Sequence, residues 1–377
     1  MTFQLPPYPY DRVATLGKLA EALPGGLVDC SVGTPCDPPP RAVIEALASS
    51  GSERGYPASA GSPALREAAA AWLQRRFGLS TSDVSPESVA ACVGTKELVA
   101  SVPQMLRLRQ PTRDTVLYPA VSYPTYAMGA ALAGCRAVPV PSCPGELGGL
   151  DLAAVDETDA ARALVLWSNS PSNPTGGLGD LAAEAAWGRA HGVPVFSDEC
   201  YAEFTWNSPP SSMLQSGGDG VVAVHSLSKR SNLAGVRVGF FAGDPELVEF
   251  LRAVRQHAGL MVPGPAQSAG TVALSDDVHV REQRGRYAER LAFLAAALSD
   301  FGCPVELPAG GFYLWVPVPP ERWPDAWAMA EDLARRGGVL VSPGDLYGEG
   351  GAGFVRVAVV QPIERLQLVA DRLRVSR

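Results

Sequence analysis

Short apolar runs, separated by alanine-rich stretches of mixed polarity, fill the first two-thirds of the chain. Seven read as strands: Val89–Val93, Thr115–Tyr118, Ala137–Val140, Ala163–Trp167, Pro194–Ser197, Val221–His225 and Val236–Ala242. Most are continuously apolar rather than alternating, the pattern of a strand covered on both faces. Helical patterns such as Leu178–His191 lie between several of them. That alternation predicts an α/β fold with a doubly wound, mostly parallel sheet under helices.

The texture changes after Met261-Val262-Pro263-Gly264-Pro265. A long charged helix is expected over roughly 266–301. Gly310-Gly311-Phe312-Tyr313-Leu314-Trp315, a further helix and the apolar run Phe354–Val360 follow. This describes a smaller α+β domain, with the segment before about Gly33 packed on it. The expected division is a large domain over 34–265 and a small one made of 1–33 and 266–377. A chain of 377 residues is long enough for two such bodies.

Charge narrows the partners. Lys and Arg number 31 against 39 Asp and Glu, a net −8, which disfavours nucleic acid as the main partner but leaves room for a local basic pocket. The seven cysteines are scattered without a Cys-x-x-Cys pair, and the four histidines lack metal-ligand spacing. Met1-Thr2-Phe3-Gln4-Leu5-Pro6-Pro7 has neither a basic nor an apolar leader region. No apolar run approaches the ~18 residues of a membrane span. The expectation is a reduced, soluble, cytoplasmic protein that uses no metal.

Candidate chemistry centres on Lys229, in His225-Ser226-Leu227-Ser228-Lys229-Arg230, which follows the strand run Val221–Val224. Hydroxyls and two arginines, Arg230 and Arg237, are the usual company of a phosphate. A lysine amine beside a phosphate anchor suggests pyridoxal 5′-phosphate (PLP) held as a Schiff base. Asp198, just after the run ending at Phe196, can keep a pyridine nitrogen protonated; it can equally cap a helix. Tyr201 can donate to a ring oxygen or fill a core. Asn173, in Ser170-Pro171-Ser172-Asn173-Pro174-Thr175-Gly176, can donate to the same oxygen or simply make a turn. Gly94-Thr95-Lys96-Glu97 opens a helix whose N–H groups suit a phosphate, or caps it beside a solvated lysine.

Arg237 precedes Val238-Gly239-Phe240-Phe241, where a charge needs a phosphate or an internal carboxylate. Arg356, inside Phe354–Val360, either faces solvent on an edge strand or presents its planar fork to a carboxylate. Gly348-Glu349-Gly350-Gly351-Ala352-Gly353 matches G-x-G-x-x-G but leads into a strand, which argues against a dinucleotide site.

Taken in order, Asn-Pro-x-Gly, Asp-x-x-Tyr and Ser-x-x-Lys with an arginine eight residues on resemble the class I/II aminotransferases, PLP enzymes of fold type I. The resemblance runs from about Val28 to the C-terminus. It implies that Lys229 is the Schiff-base lysine, that Asp198 pairs with the pyridine nitrogen, and that Asn173 and Tyr201 bind the ring oxygen. Ser226, Arg237 and the backbone of Thr95 and Lys96 would bind phosphate. Tyr56 would reach the phosphate of a neighbouring subunit, making the active unit a homodimer. Gly33 and Arg356 would hold the substrate α-carboxylate. Where many relatives stack an aromatic on the ring, this chain has Ala120, and Tyr123 would serve instead.

Ser31-Val32-Gly33-Thr34-Pro35, residues 225–235 and residues 256–263 look like the succinyldiaminopimelate aminotransferases of high-GC bacteria. That likeness implies amino exchange between glutamate and N-succinyl-2-amino-6-oxopimelate, in lysine and diaminopimelate biosynthesis. Gln256 and His257 fall where relatives place a residue that reads the substrate side chain. The alternatives are an aminotransferase for aspartate, acylornithine or aromatic substrates, or a cystathionine β-lyase-like enzyme on the same fold. A further alternative is the effector domain of an aminotransferase-like transcription factor, disfavoured because only about thirty residues precede the fold.

Overall fold

The computed structural model describes residues 9–375, so the N-terminal Met1–Pro7 stretch considered above lies outside the described residues. Contacts divide the chain into two compact units. One comprises Pro38–Gly285 with Ala309–Gly311. The other comprises the residues up to Asp37, Arg286–Pro308 and the chain from Phe312 onward.

The first unit holds a seven-stranded sheet. Its strands are β1 (Val89–Cys92), β2 (Thr115–Pro119), β3 (Arg136–Val140), β4 (Ala163–Asn169), β5 (Val195–Asp198), β6 (Val221–Ser226) and β7 (Gly239–Gly243). The order across the sheet is β1-β7-β6-β5-β4-β2-β3. All run in one direction except β7, which is antiparallel to both neighbours. Alternate residues feed two separate cores. Val221 and Ala223 of β6 pack with Trp72, Leu73 and Ala269 on one face; Val222 and Val224 pack with Leu98, Tyr126 and Leu251 on the other. Burial on both faces is why these strands read as unbroken apolar runs.

The helices start and stop on local chemistry. Ser62 accepts from the Leu65 N–H ahead of Pro63–Phe77, and Gly78 ends that helix at φ 66°. Asp180 and Asp244 cap Leu181–His191 and Pro245–His257 in the same way.

Three expectations change here. The long helix is two, Gly264–Ser275 and Val278–Asp300. The break falls where Asp276 accepts from the Val278 N–H and Asp277 pairs with Arg230 at 2.7 Å. Gly264–Ser275 packs against Arg41–Ala48 and Pro63–Phe77 of the sheet unit. Contacts therefore group residues as far as Gly285 with the sheet, beyond the boundary expected at 265. The seventh strand begins at Gly239 rather than Val236, because Ala234–Val236 form a 3-10 turn and Arg237 is left-handed at φ 61°.

In the second unit, Tyr313–Pro317, Ser342–Pro343 and Phe354–Ala358 form a three-stranded antiparallel sheet with Phe354–Ala358 in the middle. Val28–Asp29 pairs in parallel with Val339–Leu340, and Ala326–Gly337 packs nearby. The Gly348–Gly353 stretch is 3-10 turn leading into Phe354–Ala358, not into a helix. Among the described residues no helix is long and apolar enough to cross a membrane.

One buried charge makes the sheet unit pH-sensitive. Glu184, on Leu181–His191, is buried, and among the described residues its Oε2 has no hydrogen-bond partner. Burial, aided by the charge of Asp180, pushes its pKa up to about 7. A carboxyl whose folded pKa exceeds its unfolded one stabilises the fold fully below the unfolded value. That stability is lost as pH rises through the folded pKa. Wild-type stability should therefore fall by roughly 3 kcal/mol between pH 5 and pH 8 relative to Glu184→Gln. Denaturant unfolding of both proteins across that range checks it, and parallel curves would refute the assignment.

Candidate active site

Chemistry gathers along the sheet edge where the parallel strands end. Asp198 is the last residue of β5. The Tyr126 hydroxyl donates to its Oδ2 at 2.9 Å, and the Cys200 N–H donates to its Oδ1 at 3.2 Å. Burial nevertheless holds its pKa above the usual carboxylate range, against the opposing pull of those donors. A cation placed on this carboxylate would offset the cost of burying it.

Neighbouring strand ends are tied to Asp198. Asn169, ending β4, donates from Nδ2 to the Asp198 carbonyl at 2.9 Å, and its Oδ1 accepts from the Asn173 N–H at 2.8 Å. That places the buried Asn173 directly after β4. Tyr201, also buried, leads into the 3-10 turn Ala202–Phe204.

Ser226 ends β6, and its Oγ accepts from the Ser228 N–H at 3.1 Å. It thereby caps the short helix Leu227–Arg230, which carries the half-buried Lys229. Arg230, read above as phosphate company, turns into the core instead. It pairs with Glu203 at 3.0 Å and with Asp277 at 2.7 Å. The internal carboxylate considered for Arg237 is thus found instead for Arg230, seven residues earlier.

Arg237 itself is exposed, and its Nη1 donates to the Ala234 carbonyl at 2.8 Å. Among the described residues no carboxylate pairs with it. Its guanidinium lies against Gly94, where a Cβ would collide with it. Gly94, at φ 73°, opens the helix Thr95–Arg109 without a side-chain cap. A guanidinium and the positive end of a helix dipole therefore meet at Thr95 and the exposed Lys96. The Cys200 thiol donates to Thr95 Oγ1 at 3.3 Å, linking the Asp198 turn to this helix.

Tyr123, half-buried, meets Tyr126 edge-on with ring centroids 6.1 Å apart, and Tyr126 stacks on Trp167 at 5.3 Å. Tyr56 is wholly exposed. Gln256 and His257 are exposed at the end of Pro245–His257.

Arg356 and Gly33 belong to the second unit. Arg356 sits on the middle strand and is 1% exposed, so the solvent-facing edge position considered for it does not hold. Its Nη2 donates to the Ser31 carbonyl at 2.5 Å, and its guanidinium carbon lies 4.2 Å and 4.7 Å from the Tyr313 and Tyr347 ring centroids. Gly33 is buried where a Cβ would collide with the Tyr313 hydroxyl.

Sequence reasoning missed Tyr126, Cys200 and Asn169. Tyr126 carried a signal, since it follows Tyr123 closely in Ser122-Tyr123-Pro124-Thr125-Tyr126. The other two gave none.

A buried carboxylate, a lysine on a short capped helix, and an arginine at a helix N-terminus suit a group with a protonated ring nitrogen and a phosphate. The α/β architecture with its mostly parallel sheet is that of the fold-type I PLP-dependent transferases. The family model for aminotransferase class I and II matches residues 26–373, and the chain belongs to that family, whose cofactor is PLP.

It is 45% identical over 98% of its length to 4-dedimethylamino-4-oxo-anhydrotetracycline transaminase OxyQ of Streptomyces rimosus, covering 99% of that protein. It is 34% identical to the LL-diaminopimelate aminotransferase of Desulforudis audaxviator, over 98% of this chain and 95% of that one. Among solved structures, a probable N-succinyldiaminopimelate aminotransferase from Thermus thermophilus superposes with a TM-score of 0.85 at 33% identity. That match covers 98% of this chain and all of the other.

Tyr126→Phe removes a donor to a charged acceptor, worth ~1.5–3 kcal/mol. Cofactor affinity should fall about tenfold or more, and Asp198→Ala should cost at least as much. Fluorescence titration of the cofactor-free protein checks both; unchanged affinity in Tyr126→Phe would show that the bond does not support the cofactor.

Proposed function

We propose that the chain exchanges an amino group between glutamate and N-succinyl-2-amino-6-oxopimelate, with 2-oxoglutarate and N-succinyl-LL-diaminopimelate as products. The observation that carries the amino-transfer chemistry is the row of Lys229, Asp198, Asn173 and Arg237 along one sheet edge. PLP, when bound, supplies the electron sink that stabilises negative charge at the substrate Cα.

The chain's own residues do the rest. Lys229 would hold the cofactor through its amine, and its Nζ, when free, would take the Cα proton of the substrate. Asp198 keeps the ring nitrogen protonated, and Tyr126 and Cys200 keep Asp198 in place. Asn173 and Tyr201 would donate to the ring oxygen, and Tyr123 would cover the ring. Ser226, Arg237 and the N–H groups of Thr95 and Lys96 hold the phosphate. Arg356 takes the substrate α-carboxylate in its planar fork beside Gly33. The full exposure of Tyr56 in the single chain suits a residue that serves a second subunit, so the active unit is a homodimer.

The acyl-diaminopimelate substrate rests on whole-length likeness to the Thermus protein, and likeness to the Desulforudis protein supports a diaminopimelate substrate without the acyl group. The 45% identity to OxyQ favours a second reading, in which the amino acceptor is a ring ketone like the one in that transaminase's name.

Lys229→Ala should abolish turnover and the absorbance of the lysine-bound cofactor together. Arg356→Ala should raise KM for donor and acceptor alike, by at least tenfold, the effect of losing ~1.5–3 kcal/mol. An increase for only one substrate would remove Arg356 as the shared clamp. Reverse-direction assays with N-succinyl-LL-diaminopimelate, LL-diaminopimelate and N-acetylornithine, and a forward assay with a ring ketone, decide between the substrates. Preference for the ketone would replace the acyl-diaminopimelate reading while leaving the chemistry intact.

A further inference from the structure

A groove of about 400 Å³ lies in the sheet unit, lined by Arg75, Arg76, Arg281 and Arg284 with Glu203 and Asp277. None of the residues assigned above to cofactor or substrate lines it. Arg75 and Arg76 come from the last turn of Pro63–Phe77. Arg281 and Arg284 are three residues apart near the start of Val278–Asp300, a spacing that puts them on one face.

Positive charge is in excess here, although the whole chain is acidic. Glu203 is shared by Arg76 at 2.5 Å and by the buried Arg230 at 3.0 Å, and it also accepts from Trp72 Nε1. Asp277 is shared by Arg75 at 3.1 Å and by Arg230 at 2.7 Å. The adjacent Asp276 is taken by His279 at 2.9 Å. Among the described residues, Arg281 and Arg284 have no carboxylate within 4.0 Å. Five guanidiniums thus face two carboxylates.

Arg284 is also fixed in place. Its Nη1 donates to the Glu203 carbonyl at 2.8 Å, and its guanidinium stacks 4.7 Å over the Trp206 ring. Burial, and then the nearby charge of Arg76, lower its pKa. An anion in the groove would relieve that repulsion.

We propose that this groove binds a phosphoryl dianion, either free phosphate or the phosphate of a small ester. The geometry favours phosphoryl over carboxylate. Guanidiniums converging from two helices need more acceptor oxygens than the two a carboxylate offers, and a phosphoryl group presents three or four. A lysine-lined patch would bind by charge alone; these arginines present oriented donor pairs.

The test is calorimetric titration of inorganic phosphate, and separately of glycerol 3-phosphate, into cofactor-saturated protein at constant ionic strength. Saturable binding of one anion per chain is expected, with the cofactor absorbance unchanged throughout. R281Q/R284Q should weaken it at least tenfold, and R281Q alone, at an exposed position, at least threefold should the double variant fail to fold. R41Q, an exposed arginine elsewhere, should leave it unaltered. Tighter binding of the ester assigns the site to phosphate esters, and equal or tighter binding of phosphate assigns it to the free ion. Heat that does not saturate, equal binding by the arginine variants, or an absorbance change that tracks the titration would each overturn the site.

Discussion

The carboxylate of Asp198, buried at the end of a central strand, is the constraint around which the sheet edge is arranged. Burying an unpaired carboxylate is costly, and the chain meets that cost with two donors, the Tyr126 hydroxyl and the Cys200 N–H. Each brings its own structure with it. Tyr126 is held by stacking on Trp167, and Cys200 reaches on to Thr95. Through the Asn169 amide the same strand end sets the loop that carries Asn173. Neighbouring strand ends and a helix N-terminus are thereby registered to one charged group. The remaining mismatch, a carboxyl pKa still raised by burial, is what a protonated ring nitrogen would relieve.

A second charged pair positions the helix that opens at Thr95. Arg255, fully buried, forks onto both oxygens of Glu97 at 2.8 Å. Glu97 lies in the first turn and also accepts from the Val93 N–H and the Ser101 hydroxyl. Buried ion pairs contribute modestly to net stability because desolvation opposes their attraction. Their geometric effect is larger. This one ties the helix start to Pro245–His257, so the N–H groups at Thr95 and Lys96 are set by packing between the two helices.

Most strands were legible because burial on both faces leaves an apolar run; the edge strand Arg136–Val140 is largely exposed, and six of the seven begin and end close to the expected bounds. The seventh misled at its start. Val236-Arg237-Val238 looks like strand, but the Ala234–Val236 turn and the left-handed Arg237 interrupt it before Gly239. The division of the expected long helix at Asp276 was hidden for a different reason. It depends on Asp277 meeting Arg230, a pair 47 residues apart in sequence. The same pair explains why Arg230 could not be told from a phosphate ligand beforehand. Arg356 was ambiguous because one strand gives no sign of being central or peripheral; only its two flanking partners decide that. The motif residues Lys229, Asp198 and Asn173 were visible because each closely follows or ends an apolar run. Tyr126 and Cys200 act through hydrogen bonds whose partners lie 72 and 105 residues away.

Arg237 shows how backbone and charge can argue for a ligand together. A non-glycine residue held left-handed costs ~1–2 kcal/mol relative to the ordinary helical or extended regions. The buried guanidiniums of Arg230, Arg255 and Arg290 each have a carboxylate partner. Arg237 combines the backbone strain with a guanidinium pressed against the glycine that opens a helix, and among the described residues no carboxylate pairs with it. If that arginine served the fold alone, a relaxed backbone would be lower in energy. Strain persists where the surrounding structure over-determines it, most often at sites that bind something. An anion at the N-terminus of Thr95–Arg109 would draw on the helix dipole and the guanidinium at once, and such an anion would offset the cost of the strained turn.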